Sequence, residues 1–84
     1  MTIKVMLFAQ CSDIVGSRQL EITPAPNTSV QDLVNSLIKK HPKLGAMERS
    51  IMISVNQEYV DRDQLLADGD EVAMIPPVSG GSGN

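Results

Sequence analysis

The sequence predicts an α+β fold in which a mixed sheet of about five strands carries one main helix packed on one face. Short apolar, strand-like runs lie near both ends of the chain, and a single long amphipathic segment lies between them. The chain has 84 residues, of which 42% are hydrophobic, and this suits one globular domain. Its only aromatic residues are Phe8 and Tyr59, so the core must be built from aliphatic side chains.

The first third of the chain is predicted to contain two strands. Residues 3–9 are apolar apart from Lys4, a pattern typical of a buried central strand. Residues 11–16 are predicted to be a turn-bearing connection. Residues 17–23 then alternate polar and apolar side chains and form the second strand, which the prolines within residues 24–27 terminate.

The main helix is predicted over residues 29–40. Its apolar residues recur at helical spacing and form one stripe that faces the sheet; they are Val30, Leu33, Val34, Leu37 and Ile38. Two capping pairs are possible at its start, Ser29 with Asp32 or Thr28 with Gln31. A proline after the last turn ends the helix.

The second half of the chain is predicted to return to the sheet. Residues 43–50 form a connection with room for a helical turn, and residues 51–55 form a third strand. A turn and a short return strand follow over residues 56–60, and a tight turn at residues 68–70 leads into the last strand over residues 71–75. This β-β-α-β-β-β order indicates a β-grasp arrangement, with the first and last strands side by side at the centre of the sheet.

Composition excludes several classes of function. Seven Lys and Arg residues against ten Asp and Glu residues give a net charge of −3, so no basic footprint for nucleic acid is expected. No apolar run approaches the ~20 residues that span a bilayer, and the start of the chain reads as a strand rather than a signal peptide, so we expect a cytoplasmic protein without a membrane partner. A single cysteine, Cys11, permits no internal disulfide. We see no catalytic triad, metal cluster or phosphate loop, and we expect no bound cofactor.

The end of the chain carries the strongest functional signal. We expect a folded domain over residues 1–76 and a flexible tail over residues 77–84. Pro76 and its neighbouring proline stiffen the exit from the last strand, because proline fixes φ and lacks a donor. Gly80 and Gly81 have no Cβ and can enter a channel too narrow for other residues. A stiff base with a thin tip suits delivery of a chain end into the active site of another protein.

Several motifs resemble the small, sulfur-carrying subunit of molybdopterin synthase. They are IKVMLFAQ at residues 3–10 with VG at residues 15–16, VNQ at residues 55–57, and DGDEVA at residues 68–73 leading to PPVSGG at residues 76–81. Together they cover almost the whole chain, and their combination is far more specific than a Gly-Gly pair alone. The sulfur carrier of thiamine synthesis shares the β-grasp fold and the Gly-Gly end but not the PPVSGG run, so it is the lower-ranked pathway.

The resemblance implies a ubiquitin-like sulfur carrier. In this family an E1-like, ATP-dependent adenylyltransferase adenylates the C-terminal glycine carboxylate, and sulfur from a donor protein replaces AMP to give a thiocarboxylate. The large synthase subunit then receives the tail, and the sulfur passes to cyclic pyranopterin monophosphate during molybdenum cofactor biosynthesis. By position, Gly81 holds the thiocarboxylate and Gly80 lies beside it. The chain would be the non-catalytic, sulfur-donating subunit of a heterotetrameric transferase, and only the activating enzyme would use ATP.

Residues Ser82-Gly83-Asn84 depart from this pattern, because in the family the second glycine ends the chain. Here the Gly81 carboxyl group is in a peptide bond, and an amide cannot be adenylated. Three explanations remain open. The three residues are a precursor extension that a protease removes, a flexible linker remnant left by cloning, or a sign that the carrier has lost activation and kept only binding.

Strand alternation predicts a docking surface beside the tail. Side chains of a strand alternate between faces, and the main helix covers only one face of the sheet. The other face should therefore expose an apolar patch, of the kind that often marks a partner surface. The family resemblance implies that this face docks on both the activating enzyme and the large subunit. The alternative is that a loop covers these side chains. The expected partner-binding residues on the sheet and the tail are Met6, Phe8, Tyr59, Ile75, Pro76, Pro77, Val78 and Ser79.

A second class of function uses the same features. A ubiquitin-like modifier, joined through its tail to lysines, or a plain binding module would also have a β-grasp domain and a Gly-Gly end. Sequence alone does not separate these from a sulfur carrier, because modifier and carrier share the same activation chemistry.

Overall fold

A five-stranded mixed sheet forms the body of the protein in the computed structural model, which describes residues 1–77. The strand order is β2-β1-β5-β3-β4; β1 and β5 run parallel, and every other neighbouring pair is antiparallel. The predicted β-grasp arrangement and the central position of the first and last strands are confirmed. The strands are β1 (Ile3–Leu7), β2 (Gln19–Ile22), β3 (Met52–Val55), β4 (Glu58–Tyr59) and β5 (Glu71–Ile75).

The two central strands form the floor of the core. Val5 pairs with Val72 and Leu7 with Met74, and these four side chains are between 0% and 3% exposed. Each points to the same face of the sheet, because pairing partners share a side and alternate residues repeat it. The apolar stripe of the main helix packs onto that face.

Two helices connect these strands: α1 (Ala9–Val15) and α2 (Val30–Lys40). Of the two possible capping pairs, α2 uses Ser29 with Asp32: the Ser29 hydroxyl accepts the Asp32 N–H, and the Asp32 carboxylate accepts the Ser29 N–H, each at 3.1 Å. The helix buries four of its five predicted core residues, and Ile38 is half-buried at the margin. The helix prediction is therefore confirmed to within one residue at its start.

Helix α1 lies where the sequence predicted the end of a strand and a connection. The strand stops at Leu7 because Ala9 takes a positive φ of 47°, and Gly16 ends the helix with a φ of 85°. The seven-residue helix has no side-chain N-cap and spans only about two turns, too short for a helical period to be visible in the sequence. It nevertheless buries Cys11 completely.

The connection after α2 is a 3₁₀ segment over Pro42–Ser50 that buries Leu44. Arg62, from the segment between β4 and β5, binds the C-terminal end of this 3₁₀ segment. The Arg62 guanidinium donates to the backbone carbonyls of Glu48 at 2.8 Å and Ile51 at 3.1 Å, and to the side chain of Gln31 on α2 at 3.3 Å. One side chain thus joins three segments that are distant in sequence.

The packing of α2 predicts that Leu37→Ala destabilises the fold strongly. Leu37 is 3% exposed, so its truncation loses buried apolar surface and leaves a cavity, at a cost of roughly 2–5 kcal/mol. Chemical denaturation followed by circular dichroism measures the change. Lys39→Ala, at an exposed site on the same helix, is the matched control and should change the free energy of unfolding by about 0.5 kcal/mol or less. Equal stability of the two variants would contradict the packing described here.

Candidate docking face and tail exit

Strand β5 delivers the tail from the centre of the sheet. It lies between β1 and β3, and its last residue, Ile75, is followed by a buried Pro76 and an exposed Pro77. The chain therefore leaves the domain at the end of the molecule where β1 also ends, since the two strands are parallel. The predicted tail residues Val78, Ser79, Gly80 and Gly81, with Ser82-Gly83-Asn84 after them, lie outside the described residues.

The face of the sheet opposite α2 is here called the open face. It is apolar near the tail exit and charged at the other end of the strands. Met52 pairs with Ile75 in the row nearest the tail. Phe8, the extended residue directly after β1, continues the β1–β5 register by one position and so joins the same row. The next row crosses all five strands and is mostly small or apolar; it contains Gln19, Met6, Ala73, Ser54 and Tyr59. The third row, farthest from the tail, is charged and contains Glu21, Lys4 and Glu71. The apolar part of this face thus borders the tail exit.

The sequence-predicted patch residues lie together on this open face. Phe8 is 45% exposed and Tyr59 66% exposed, whereas Met6 and Ile75 are half-buried. No segment among residues 1–77 covers the exposed two. Sequence reasoning missed Met52, which is 50% exposed beside Ile75. The signal was available, because the inward side chains of β3 at positions 53 and 55 place position 52 on the opposite face.

A groove runs beside Phe8 where β1 passes into α1. Its volume is about 440 Å³, and it combines the apolar sides of Met6 and Phe8 with polar groups of Ser12, Asp13 and Arg18. Phe8 itself is held by its backbone, whose N–H donates to the Met74 carbonyl at 3.3 Å. The open face therefore offers both apolar area and charged groups of either sign next to the tail exit.

The VNQ motif (residues 55–57) and the DGDE motif (residues 68–71) are joined by hydrogen bonds that position the start of β5. Asn56 and Gln57 have positive φ values of 51° and 71°, the geometry of a two-residue type I′ turn between β3 and β4. The Asn56 amide donates to the Asp70 carboxylate at 2.9 Å and accepts the Glu71 N–H at 3.0 Å. These motifs are thus structural, and their effect is to position the strand that carries the tail.

The only cysteine of the chain lies in the core of the domain. Cys11 is fully buried in α1, and burial raises the pKa of its thiol, so the reactive thiolate is disfavoured. Among residues 1–77, histidine, cysteine and acidic side chains form no group able to hold a metal ion. Within the same residues, both helices are too short and too polar to cross a lipid bilayer.

Comparisons with known proteins agree with this architecture. The sequence matches the ThiS family over residues 5–81. The molybdopterin synthase sulfur carrier subunit of Chlamydomonas reinhardtii is 37% identical over 83 residues, an alignment that covers 96% of this chain and 100% of that protein. The relative is thus matched over its whole length and not only in the fold core.

Solved structures show the same fold. Small archaeal modifier protein 1 from Methanosarcina acetivorans superposes with a TM-score of 0.79 at 30% identity, covering 94% of this chain and 95% of that one. Subunit 1 of the molybdopterin-converting factor of Helicobacter pylori, solved in complex with subunit 2, gives 0.68 at 21% identity over 95% and 99% of the chains. From the near-complete sequence match and the shared β-grasp fold, the chain belongs to the ThiS family and is a homologue of molybdopterin synthase sulfur carrier subunits.

Proposed function

We propose that this chain is the sulfur carrier subunit of a molybdopterin synthase and that Gly81 is its sulfur-bearing residue. One observation carries the proposal: the family match runs through the whole domain and ends at Gly81, the second glycine of the pair. Residues Ser82-Gly83-Asn84 lie beyond the matched span. The full-length match to a relative of that name favours the molybdopterin pathway over the thiamine pathway.

The chemistry proposed for the tail needs no acid or base on this chain. A free Gly81 carboxylate would attack the α-phosphate of ATP on an activating enzyme, releasing pyrophosphate and forming an acyl adenylate. Hydrosulfide supplied by a donor protein would then attack the acyl carbon, forming a C–S bond as the C–O bond to AMP breaks and AMP leaves. The carboxylate becomes a thiocarboxylate, whose sulfur is a strong nucleophile. The activating enzyme, the sulfur donor and the large subunit supply the catalytic groups.

The open face is the proposed docking surface for the large subunit. Its apolar row of Phe8, Ile75 and Met52 lies beside the tail exit, so a partner seated there is positioned to receive the tail. The Asp13 and Arg18 side chains of the neighbouring groove add groups for polar contacts at the margin. The two-subunit Helicobacter pylori complex, whose small subunit shares this fold, supports a partner of this kind.

A ubiquitin-like modifier is the second candidate. The observation that favours it is the similarity to small archaeal modifier protein 1, at 30% identity over nearly the whole chain. A modifier would form an amide bond between its terminal glycine and a lysine, releasing AMP, whereas a carrier would transfer sulfur and recover its carboxylate. Incubation with activating enzyme and ATP, with and without a sulfur donor, followed by intact mass, distinguishes the thiocarboxylate from lysine conjugates.

The open face predicts that charge at Phe8 or Ile75 weakens binding to the large subunit. Phe8→Glu and Ile75→Glu place a carboxylate in the apolar row, and each should weaken affinity by about 2 kcal/mol or more, as at an interface hot spot. Titration calorimetry measures this, with circular dichroism to show that each variant is folded. Leu65→Glu is the matched control, because Leu65 is 55% exposed in the segment that pairs with Ser29 at the start of α2. If all three variants bind equally well, the docking face is wrongly assigned.

The tail predicts that the position of the terminal carboxylate decides activation. The 84-residue chain should not accept sulfur, because its Gly81 carbonyl is in a peptide bond. A chain ending at Gly81 should be adenylated and should gain the mass difference between sulfur and oxygen. Gly81→Val in the shorter chain should block activation again, because a Cβ and its methyl groups do not fit a channel built for glycine.

The 84-residue chain, the chain ending at Gly81 and its Gly81→Val variant are each incubated with activating enzyme, sulfur donor and large subunit. The amount of molybdopterin formed is then compared. Intact mass at the end of each reaction shows whether residues beyond Gly81 were removed. An unclipped 84-residue chain as active as the shorter one would refute the assignment of Gly81. Binding of the full chain to the large subunit should persist, since the proposed docking surface does not include residues 82–84.

A further inference from the structure

The outer edge of β2 is a second surface without a partner in the described structure. Strand β2 pairs with β1 on one side and is the last strand of the sheet on the other. The Leu7 N–H donates to the Arg18 carbonyl at 2.9 Å, so Leu7 and Arg18 form a hydrogen-bonded pair of the β1–β2 ladder. This pair shows which residues of β2 direct their backbone groups toward β1. In an antiparallel ladder alternate residues direct their backbone groups to the neighbour and away from it. Gln19, Glu21 and Thr23 therefore direct theirs outward.

Only part of this edge is available for pairing. The Ser17 hydroxyl donates to the Gln19 carbonyl at 2.7 Å and accepts the Gln19 N–H at 3.3 Å, so the first outward residue is already satisfied. Glu21 and Thr23 have no such partner among residues 1–77. Thr23 precedes Pro24, which restricts it to extended backbone and preserves the outward direction. Two residues thus offer two N–H donors and two carbonyl acceptors to an added strand.

A groove lies along this edge on the side of α2. Its volume is about 360 Å³, and its apolar lining comes from Ile22, Pro24 and the largely buried Leu37. Its other lining residues are Glu21, Thr23, Ser36 and Lys40. Ile22 is half-buried, so it retains apolar surface that a further side chain could cover. Lys40, in the last turn of α2, also lines the groove and is exposed. Within the described residues Lys40 has no ion pair.

We propose that the β2 edge binds an extended acidic segment of a partner protein by strand addition. The segment pairs its backbone with Glu21 and Thr23, places an apolar side chain in the groove against Ile22 and Leu37, and sets an acidic residue against Lys40. Backbone pairing supplies affinity, and the groove and the lysine supply specificity. This surface lies on the far side of β1 from the tail-bearing strand, so it is separate from the proposed sulfur transfer.

Charge argues against a second copy of this chain as the occupant. An antiparallel β2–β2 pairing centred on Glu21 would set the two Glu21 carboxylates side by side on the open face. Like charges directly opposite across a strand pair are destabilising. An acidic peptide avoids this cost because its carboxylate can lie against Lys40 on the helix side of the sheet.

The test is selection of peptides from a phage-displayed library of random octapeptides on the isotope-labelled 84-residue protein. Selected peptides, synthesised with blocked termini, should contain alternating apolar residues and at least one acid. They should shift the backbone amide resonances of Glu21 and Thr23 most strongly. Thr23→Pro removes an outward N–H and adds a ring at the edge, so it should weaken binding at least tenfold.

A pair of charge reversals isolates the role of the groove. Lys40→Glu should weaken binding of acidic peptides at least tenfold, whereas Lys39→Glu makes the same charge change on an exposed neighbour that does not line the groove. Equal losses from the two reversals, selection of no peptide, or shifts centred on the open face would overturn the proposal. Concentration-dependent shifts of the same amides without peptide would assign the edge to a second copy and would also overturn it.

Discussion

The parallel pairing of β1 with β5 is the constraint on which the rest of the structure depends. It joins the first strand of the domain to the last, so the whole intervening chain must form the crossover and the flanking strands. The pairing is closed at its start by Thr2, whose N–H donates to the Asp68 side chain at 2.7 Å and whose carbonyl accepts the Gly69 N–H at 2.8 Å. Asn56 holds the same turn from the side of β3. Strand β5, like β1 and β3, has a hydrogen-bonded strand on each side.

This constraint sets where the chain leaves the folded domain. A C-terminal strand at the sheet edge would send the tail out at the side of the molecule, away from the broad face. A central β5 sends it out between β1 and β3, next to the apolar row of Phe8, Ile75 and Met52. The same register that buries Val72 and Met74 beneath α2 turns Ile75 toward the open face. The alternation of β5 side chains between the two faces of the sheet therefore produces both the core and the proposed docking surface.

The motifs behind the family resemblance separate into two physical roles. VNQ and DGDE form hydrogen bonds with each other and stabilise the start of β5, so their presence reflects the fold. In the PPVSGG run, Pro76 is buried against the domain and Pro77 is exposed. Under the proposed function, the glycine pair after them serves delivery of the chain end into a partner. The proposed sulfur carrier would need a stable, well-placed strand and a thin tip, while its partners would supply the reactive side chains.

Local pattern was enough to predict most of the fold. The stripe of α2, the alternation of β2 and β5, and the Asp68-Gly69-Asp70 turn each carry their period or turn chemistry within a few residues, and the structure has all of them. Helix α1 could not be predicted, because it begins with a positive φ at Ala9 and is too short to show a period. Nor did the sequence identify Arg62 as the residue that joins α2, the 3₁₀ segment and the chain before β3.

The sequence by itself determined which side chains alternate and where the long helix lies, and it predicts a tail with a stiff base and a thin tip. Only the tertiary structure decided which rows of side chains meet across the sheet. It brought Met52 beside Ile75, left the outer edge of β2 open and set Lys40 over the groove along it. The physical reason is that a period is a property of one segment, whereas register is a relation between segments far apart in the chain. Register is fixed only when their apolar faces are buried together.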